Sequence, residues 1–224
     1  MLIRVLPLVA GIAPFIGISL AYWLAIENAV LPECMPPLDG CVSISATGRY
    51  MPASLLFRAV MLPQSVVLVF VWYFAARWLQ SLEPASKSTR LIIVAGIVGA
   101  AALILYVTFL GTKGPVYEFM RRFGIYLYFL GTASAQLALA VALLRHARHH
   151  DVQRLKRTAL AMLWLCGLPF ALGILNLVLK SALDNADFSE NRIEWIAGIL
   201  MQAYFVVTYF AWRQTGFSVS VETR

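Results

Sequence analysis

Eight charged side chains lie where apolar stretches begin or end: Arg49, Arg58, Glu118, Arg121, Arg122, Lys180, Arg192 and Glu194. Arginine presents a planar fork of N–H donors that matches a phosphate or a carboxylate two bonds at a time. Gathered at one end of a helical bundle, such groups would hold an anionic headgroup. In that arrangement Arg58 and Arg122 contact the phosphate, Arg121 stands beside them, and Glu118 or Glu194 holds the guanidiniums in place. Ser43 and Ser45 add hydroxyls from the neighbouring loop. The plainer account is a set of flanking charges reaching along their stems to water. That account fits Arg58 and Glu194 least, because each begins an apolar run and can face a bundle interior.

Covalent chemistry is less legible. Ser43, Ser45 and Thr47 alternate and could line a polar cleft or cap the next helix. A serine nucleophile needs a base, and His146, His149 and His150 lie at the far end of a different apolar run. Only a carboxylate, Glu118 or Glu194, could then serve. No catalytic residue is assigned, and enzyme and non-enzyme both stay open. The three histidines have near-helical spacing, but only Asp151 accompanies them. A basic helix end beside anionic lipid explains them, so no metal and no cofactor is expected. Cys34 and Cys41 have six residues between them and would close a small disulfide ring if the loop faces an oxidising compartment. Otherwise they are two free thiols.

The elements that must position these groups are membrane spans. The chain is 61% hydrophobic and only 13% charged, with a mean hydropathy of +0.77; soluble domains average about 25% charged. Apolar runs of about 18 residues or more recur, too continuous for alternating barrel strands. Backbone groups in lipid must then pair within helices. The expectation is all-α: a single six-helix transmembrane domain over 1–224, with spans near 5–26, 55–76, 91–111, 123–144, 158–179 and 195–212. The first run exceeds a signal-peptide core of about 7–15 residues and has no clean cleavage site after it, so a retained helix is expected.

Within the spans, Ala95, Gly96, Gly99, Ala100, Ala101 and Ala102 predict close backbone packing of the third span. Pro63 should kink the second and free a carbonyl for a neighbour such as Gln64. Gln64, Gln136, Asn176 and Gln202 are expected to tie helices together, and Cys166 to be a small buried residue. Pro32, Pro36, Pro37 and Gly40 exclude a long helix from the first half of the loop after span one. Glu118 and Arg122 are four apart and can pair.

The net charge of +7 does not imply nucleic acid, because the basic residues sit in short loops beside spans, as topology and anionic lipid require. Arg4, Arg77, Lys87, Arg90, Arg145, Arg148, Arg154, Lys156, Arg157, Arg213 and Arg224 fall on one side of a six-span chain. This larger share of Lys and Arg places both termini in the cytoplasm and the cysteine loop outside.

The stretch CVSISATGRYMPASLLFR resembles the first loop of the DRAM-like superfamily, which holds damage-regulated autophagy modulators, the lipid-remodelling factor known as post-GPI attachment to proteins factor two, and the N-terminal domain of a cell-wall-biogenesis protein. The resemblance rests on Ser43-Ile44-Ser45, Pro52 and Arg58, with Glu194-Trp195 similar to an acidic-aromatic pair at the start of span six. Several relatives have a histidine near the entrance of span four, where this chain has Arg121 and Arg122. The resemblance implies involvement with membrane lipids, through remodelling of lipid-anchored proteins or control of lipid distribution; joined to the arginine set, the expectation is a membrane protein that binds outer-leaflet lipid and takes part in, or regulates, lipid or lipid-anchor remodelling. The implied partner is a membrane phospholipid or glycolipid, with a membrane protein or a second copy of the chain as a further one. The membrane would be the plasma membrane of a bacterium, or the Golgi, ER or plasma membrane of a eukaryote. Alternatives are a non-catalytic scaffold acting through the third and fourth spans and a small transporter. The transporter ranks lower because no carboxylate lies mid-span.

Overall fold

The computed structural model describes residues 2–84, 86–182 and 186–219. A 3-10 turn at Leu2–Val5 leads into α1 (Leu6–Glu27). Two one-turn helices, α2 (Pro36–Asp39) and α3 (Ile44–Thr47), lie in the loop that follows. Then come α4 (Ala53–Leu82), α5 (Ser88–Phe109), α6 (Pro115–His149), α7 (Gln153–Ala182) and α8 (Asp187–Gln214). Six helices are long and apolar enough to cross a membrane, and no strand occurs among the described residues. The chain is an all-α, multi-pass membrane protein.

Most of the helices outrun the apolar runs that announce them. The 35 residues of α6 span about 52 Å at 1.5 Å per residue, well beyond a hydrocarbon core of about 30 Å. Hydropathy registers only the lipid-buried part, whereas the backbone ladder continues into the polar zones. The third span errs the other way. It stops at Phe109 rather than 111, because Leu110 turns extended and Gly111 takes φ +81°. A Cβ at 111 would also lie 2.6 Å from the Arg49 carbonyl, so the turn needs glycine twice over.

Small residues bring α5 and α6 together backbone to backbone. A Cβ on Gly131 would sit 2.6 Å from the Ala95 carbonyl, and one on Gly124 would sit 2.7 Å from the Tyr106 amide. No hydrophobic effect drives helices together in lipid, so this approach is how van der Waals contact accumulates there. Gly96, Gly99, Ala100 and Ala102 of α5 are buried inside the bundle, while Ala101 stays exposed.

Prolines inside α1, α4 and α7 (Pro14, Pro63 and Pro169) interrupt their ladders. Gln64 does not serve the carbonyl freed by Pro63, as expected from their adjacency. Its Nε2 donates across to the Ala10 carbonyl at 2.8 Å. Ala10 lies four residues before Pro14, whose missing N–H would have met that carbonyl. One helix's proline defect is repaired by another helix's amide, and Ala10 and Gln64 are both buried. Gln136 makes a similar tie, donating to the Met201 carbonyl at 3.1 Å, while Tyr204 donates to the Gln136 carbonyl at 2.6 Å.

The helices do not share burial equally. The apolar window of α6 is 61% buried and that of α7 only 11%. α7 stands at the edge, packed chiefly on α6 and α8, and the space between those three helices is where the polar residues converge.

Candidate functional site

The first loop is fastened at both ends. The Tyr22 hydroxyl accepts the Cys34 N–H at 3.0 Å and donates to the Pro32 carbonyl at 2.9 Å. Cys34 and Cys41 are joined by a disulfide. Gly40, with φ +70°, caps α2, and a Cβ there would collide with the Phe188 carbonyl. The start of α8 then grips the loop. Asn191 donates to the Gly40 carbonyl at 2.8 Å, Arg192 to that of Asp39 at 3.3 Å, and the Trp195 indole to that of Val42 at 2.9 Å.

The Ser43-Ile44-Ser45 segment sits beneath this clamp. Ser43 has the extended backbone of an N-cap, and its Oγ accepts from the Ala46 amide at 3.2 Å. It therefore caps α3, a single turn, and not the next span. Ser45 has three neighbours. Its N–H donates to Glu194 Oε1 at 3.3 Å, its Oγ lies 3.0 Å from Ser43 Oγ, and Arg49 Nη2 donates to that Oγ at 2.7 Å.

These groups roof a cavity of about 780 Å³ walled by α6, α7 and α8. Ser43, Ser45, Arg121, Arg122 and Glu194 all line it, together with Arg49, Lys180, Glu190 and Asn176. Around Gly173, on the α7 wall, a Cβ would meet nothing within 4 Å.

The expected meeting of Arg58 with Arg122 and Glu194 does not form. Arg58 lies outside the lining and donates from Nη2 to the Leu110 carbonyl at 2.8 Å. That carbonyl belongs to the residue where α5 ends, so it has lost its intrahelical partner, and a cation there also meets the negative end of the helix dipole. Arg58 finds one acceptor within the protein, while its Nε, like that of Arg49, is buried without a hydrogen-bond partner; what separates the two is that only Arg49 lines the cavity. Glu118 also lies outside the lining. It pairs with Arg122 at 3.8 Å, both side chains more than half exposed, a contact worth about 0–1 kcal/mol.

Arg49, one of the eight charges named from the sequence but given no part there in holding the phosphate, lines the cavity. Its Nε is buried in the site without a hydrogen-bond partner. The missed signal is its spacing: Arg49 follows Ser45 by four residues, the separation that puts two side chains on one helical face. The charges around the cavity divide into satisfied and unsatisfied. Lys180 is paired with Glu190 at 2.7 Å and Arg122 with Glu118. Among the described residues Arg49, Arg121 and Glu194 form no ion pair.

Glu194 stands in a shared wall. On its other side lies a smaller, mostly apolar pocket of about 60 Å³, lined by Phe15, Ile18, Phe57, Met61 and Leu103. Tyr106, Ile125, Phe129, Met201 and Glu194 border both spaces. A polar space and an apolar one thus meet at a carboxylate. The histidines occupy the opposite end of α6, with the His146 and His150 rings 4.4 Å apart.

The fold and site define a class: a six-helix, multi-pass membrane protein whose disulfide-closed first loop roofs a polar cavity among its last three long helices. The chain belongs to the Frag1/DRAM/Sfk1/Cwh43P N-terminal domain family, whose model matches residues 3–215. No curated protein and no solved structure matches it. The two motifs that carry the resemblance are in contact, since Glu194 and Trp195 hold Ser45 and Val42.

Proposed function

We propose that this protein binds a phosphate-bearing lipid of the outer leaflet in the cavity between α6, α7 and α8, and takes part in or regulates lipid remodelling. One observation carries the reading: Arg49 and Arg121 line a cavity of about 780 Å³ with no carboxylate paired to either among the described residues. Both guanidiniums are half-buried, and the Arg49 Nε is buried without a hydrogen-bond partner; such groups suit an anion, and phosphate is the anion most membrane lipids carry. The cysteine loop then faces outward, the orientation favoured by the basic residues at the other end. Lipid enters beside α7, the least buried helix.

Native mass spectrometry of the full chain tests this. It should find about one phosphorus-bearing lipid per chain, retained when bulk detergent is exchanged. A chain that carries no phospholipid through that treatment, in a preparation shown to be folded, removes the reading.

A further inference from the structure

Arg49, Arg121 and Glu194 form an asymmetric set: two guanidiniums and one carboxylate on one cavity, none ion-paired among the described residues. We infer that the headgroup this cavity selects carries a primary ammonium beside its phosphate, the phosphate lying on Arg49 and Arg121 and the ammonium on Glu194. The inference rests on the lipid reading above and names the class of lipid within it.

Local pairing decides the matter. A carboxylate kept from bulk water is costly unless a cation or several donors meet it. Glu194 has the Ser45 amide at 3.3 Å, a long bond for a charge; Arg49 acts on it without forming an ion pair, and the wall behind it is mostly apolar, with Phe57, Leu103 and Met61 beside Tyr106 and Gln202. A phosphate on the arginines with nothing but carbon or hydroxyls beyond it would leave this carboxylate without a cation. A headgroup ending in –NH₃⁺ supplies the charge and up to three N–H donors. A quaternary ammonium supplies the charge but no donor; Tyr106, Tyr126, Phe129 and Phe170 give the cavity ring faces that suit such groups, but the acceptors Glu194 and Asn176 are met only by N–H donors. The order expected is therefore phosphatidylethanolamine above phosphatidylcholine and phosphatidylglycerol. Shape agrees with charge. Asn176 and Asn191 line the same cavity, and Asn176 Oδ1 is a buried acceptor without a hydrogen-bond partner, a second place for an ammonium proton.

The experiment is competitive lipid binding to the full chain in nanodiscs or detergent, read by native mass spectrometry. The probes are phosphatidylethanolamine, phosphatidylcholine and phosphatidylglycerol with identical acyl chains. The ethanolamine lipid should bind about tenfold tighter than the other two, the effect of one charge-assisted hydrogen bond. In Glu194→Gln, whose amide oxygen can still accept from Ser45, that preference should collapse, and phosphatidylglycerol should bind more tightly than to the unaltered chain because its headgroup no longer leaves a carboxylate without a cation. An unfolding temperature within a few degrees of the unaltered chain's, measured without added lipid, shows that the variant is folded, and a folded variant that binds none of the three lipids also overturns the inference. Glu194→Asp should keep part of the preference. Free glycerophosphoethanolamine should displace the bound lipid where glycerophosphoglycerol does not, which places recognition in the headgroup and separates it from the chains. Equal binding of the three lipids, or a preference that survives Glu194→Gln, overturns the inference and leaves the lipid reading standing. Binding of none of them removes both.

Discussion

Glu194 accepts the backbone N–H of Ser45 at 3.3 Å across 149 positions of chain. The next residue, Trp195, donates its indole N–H to the Val42 carbonyl at 2.9 Å. Two consecutive side chains on the last helix thus fix the position of the first loop, and with it the roof of the cavity. Trp195→Phe removes the N–H, keeps most of the packing, and leaves a carbonyl unmet on buried Val42. The cost should be about 1–3 kcal/mol. Hydrogen exchange should show faster exchange at the α3 amides, Ala46 above all, with α5 and α6 unchanged. Unaltered exchange at Ala46 would remove the clamp.

Gln64 and Pro14 should be energetically coupled. Gln64→Leu orphans the Ala10 carbonyl in a dry interior, at about 1–3 kcal/mol. Pro14→Ala returns the N–H that would meet it. In a double-mutant cycle on thermal or denaturant unfolding, the Pro14→Ala background should make Gln64→Leu nearly silent. Simple additivity would show that the cross-helix bond contributes nothing.

Gly173 and Gly131 should respond in opposite ways to enlargement. Space is open around Gly173, so Gly173→Leu should hold or raise stability through helix propensity, by up to about 1 kcal/mol, while filling the cavity and lowering lipid occupancy. Gly131→Leu would drive a side chain into the Ala95 carbonyl and the Gly99 backbone, and should destabilise the α5–α6 pair strongly. Full lipid occupancy in a folded Gly173→Leu chain would move the ligand elsewhere.

The Cys34–Cys41 ring, with a sequence separation of 7, should stabilise the loop by about 2 kcal/mol through loop-closure entropy. On intact cells or right-side-out vesicles, a membrane-impermeant maleimide should label the chain only after mild reduction. Buried Cys166 should stay unlabelled. Labelling confined to inside-out vesicles would reverse the proposed orientation.

Much of the fold was readable because lipid imposes it. A run of apolar residues in a chain with 13% charge has only helices open to it, and alanine and glycine on α5 announced a close partner. The cysteine spacing pointed to a small ring, and the structure has it. Side-chain destinations were not readable in the same way. Arg58 and Arg122 flank spans at the same end, yet Arg58 turns to a helix-terminal carbonyl that only the early stop of α5 at Phe109 exposes. Gln64 sits beside one proline and serves another, because the pairing depends on how α1 and α4 stack. Arg49 stood out only as one of eight charges at the ends of apolar runs, and its place in the lining depends on α7 standing off from the bundle, which hydropathy does not register.

The most direct measurement is lipid retention by three forms of the full chain under identical native mass spectrometry conditions: unaltered, Arg49→Ala/Arg121→Ala, and Arg58→Ala. Each lost charge-assisted contact should weaken phospholipid binding about tenfold or more, so the double variant should be almost bare. Arg58→Ala should retain its lipid, with only a loss of stability where α4 meets the end of α5. A double variant that keeps its phospholipid, or an Arg58→Ala chain that alone loses it, would place the ligand outside this cavity.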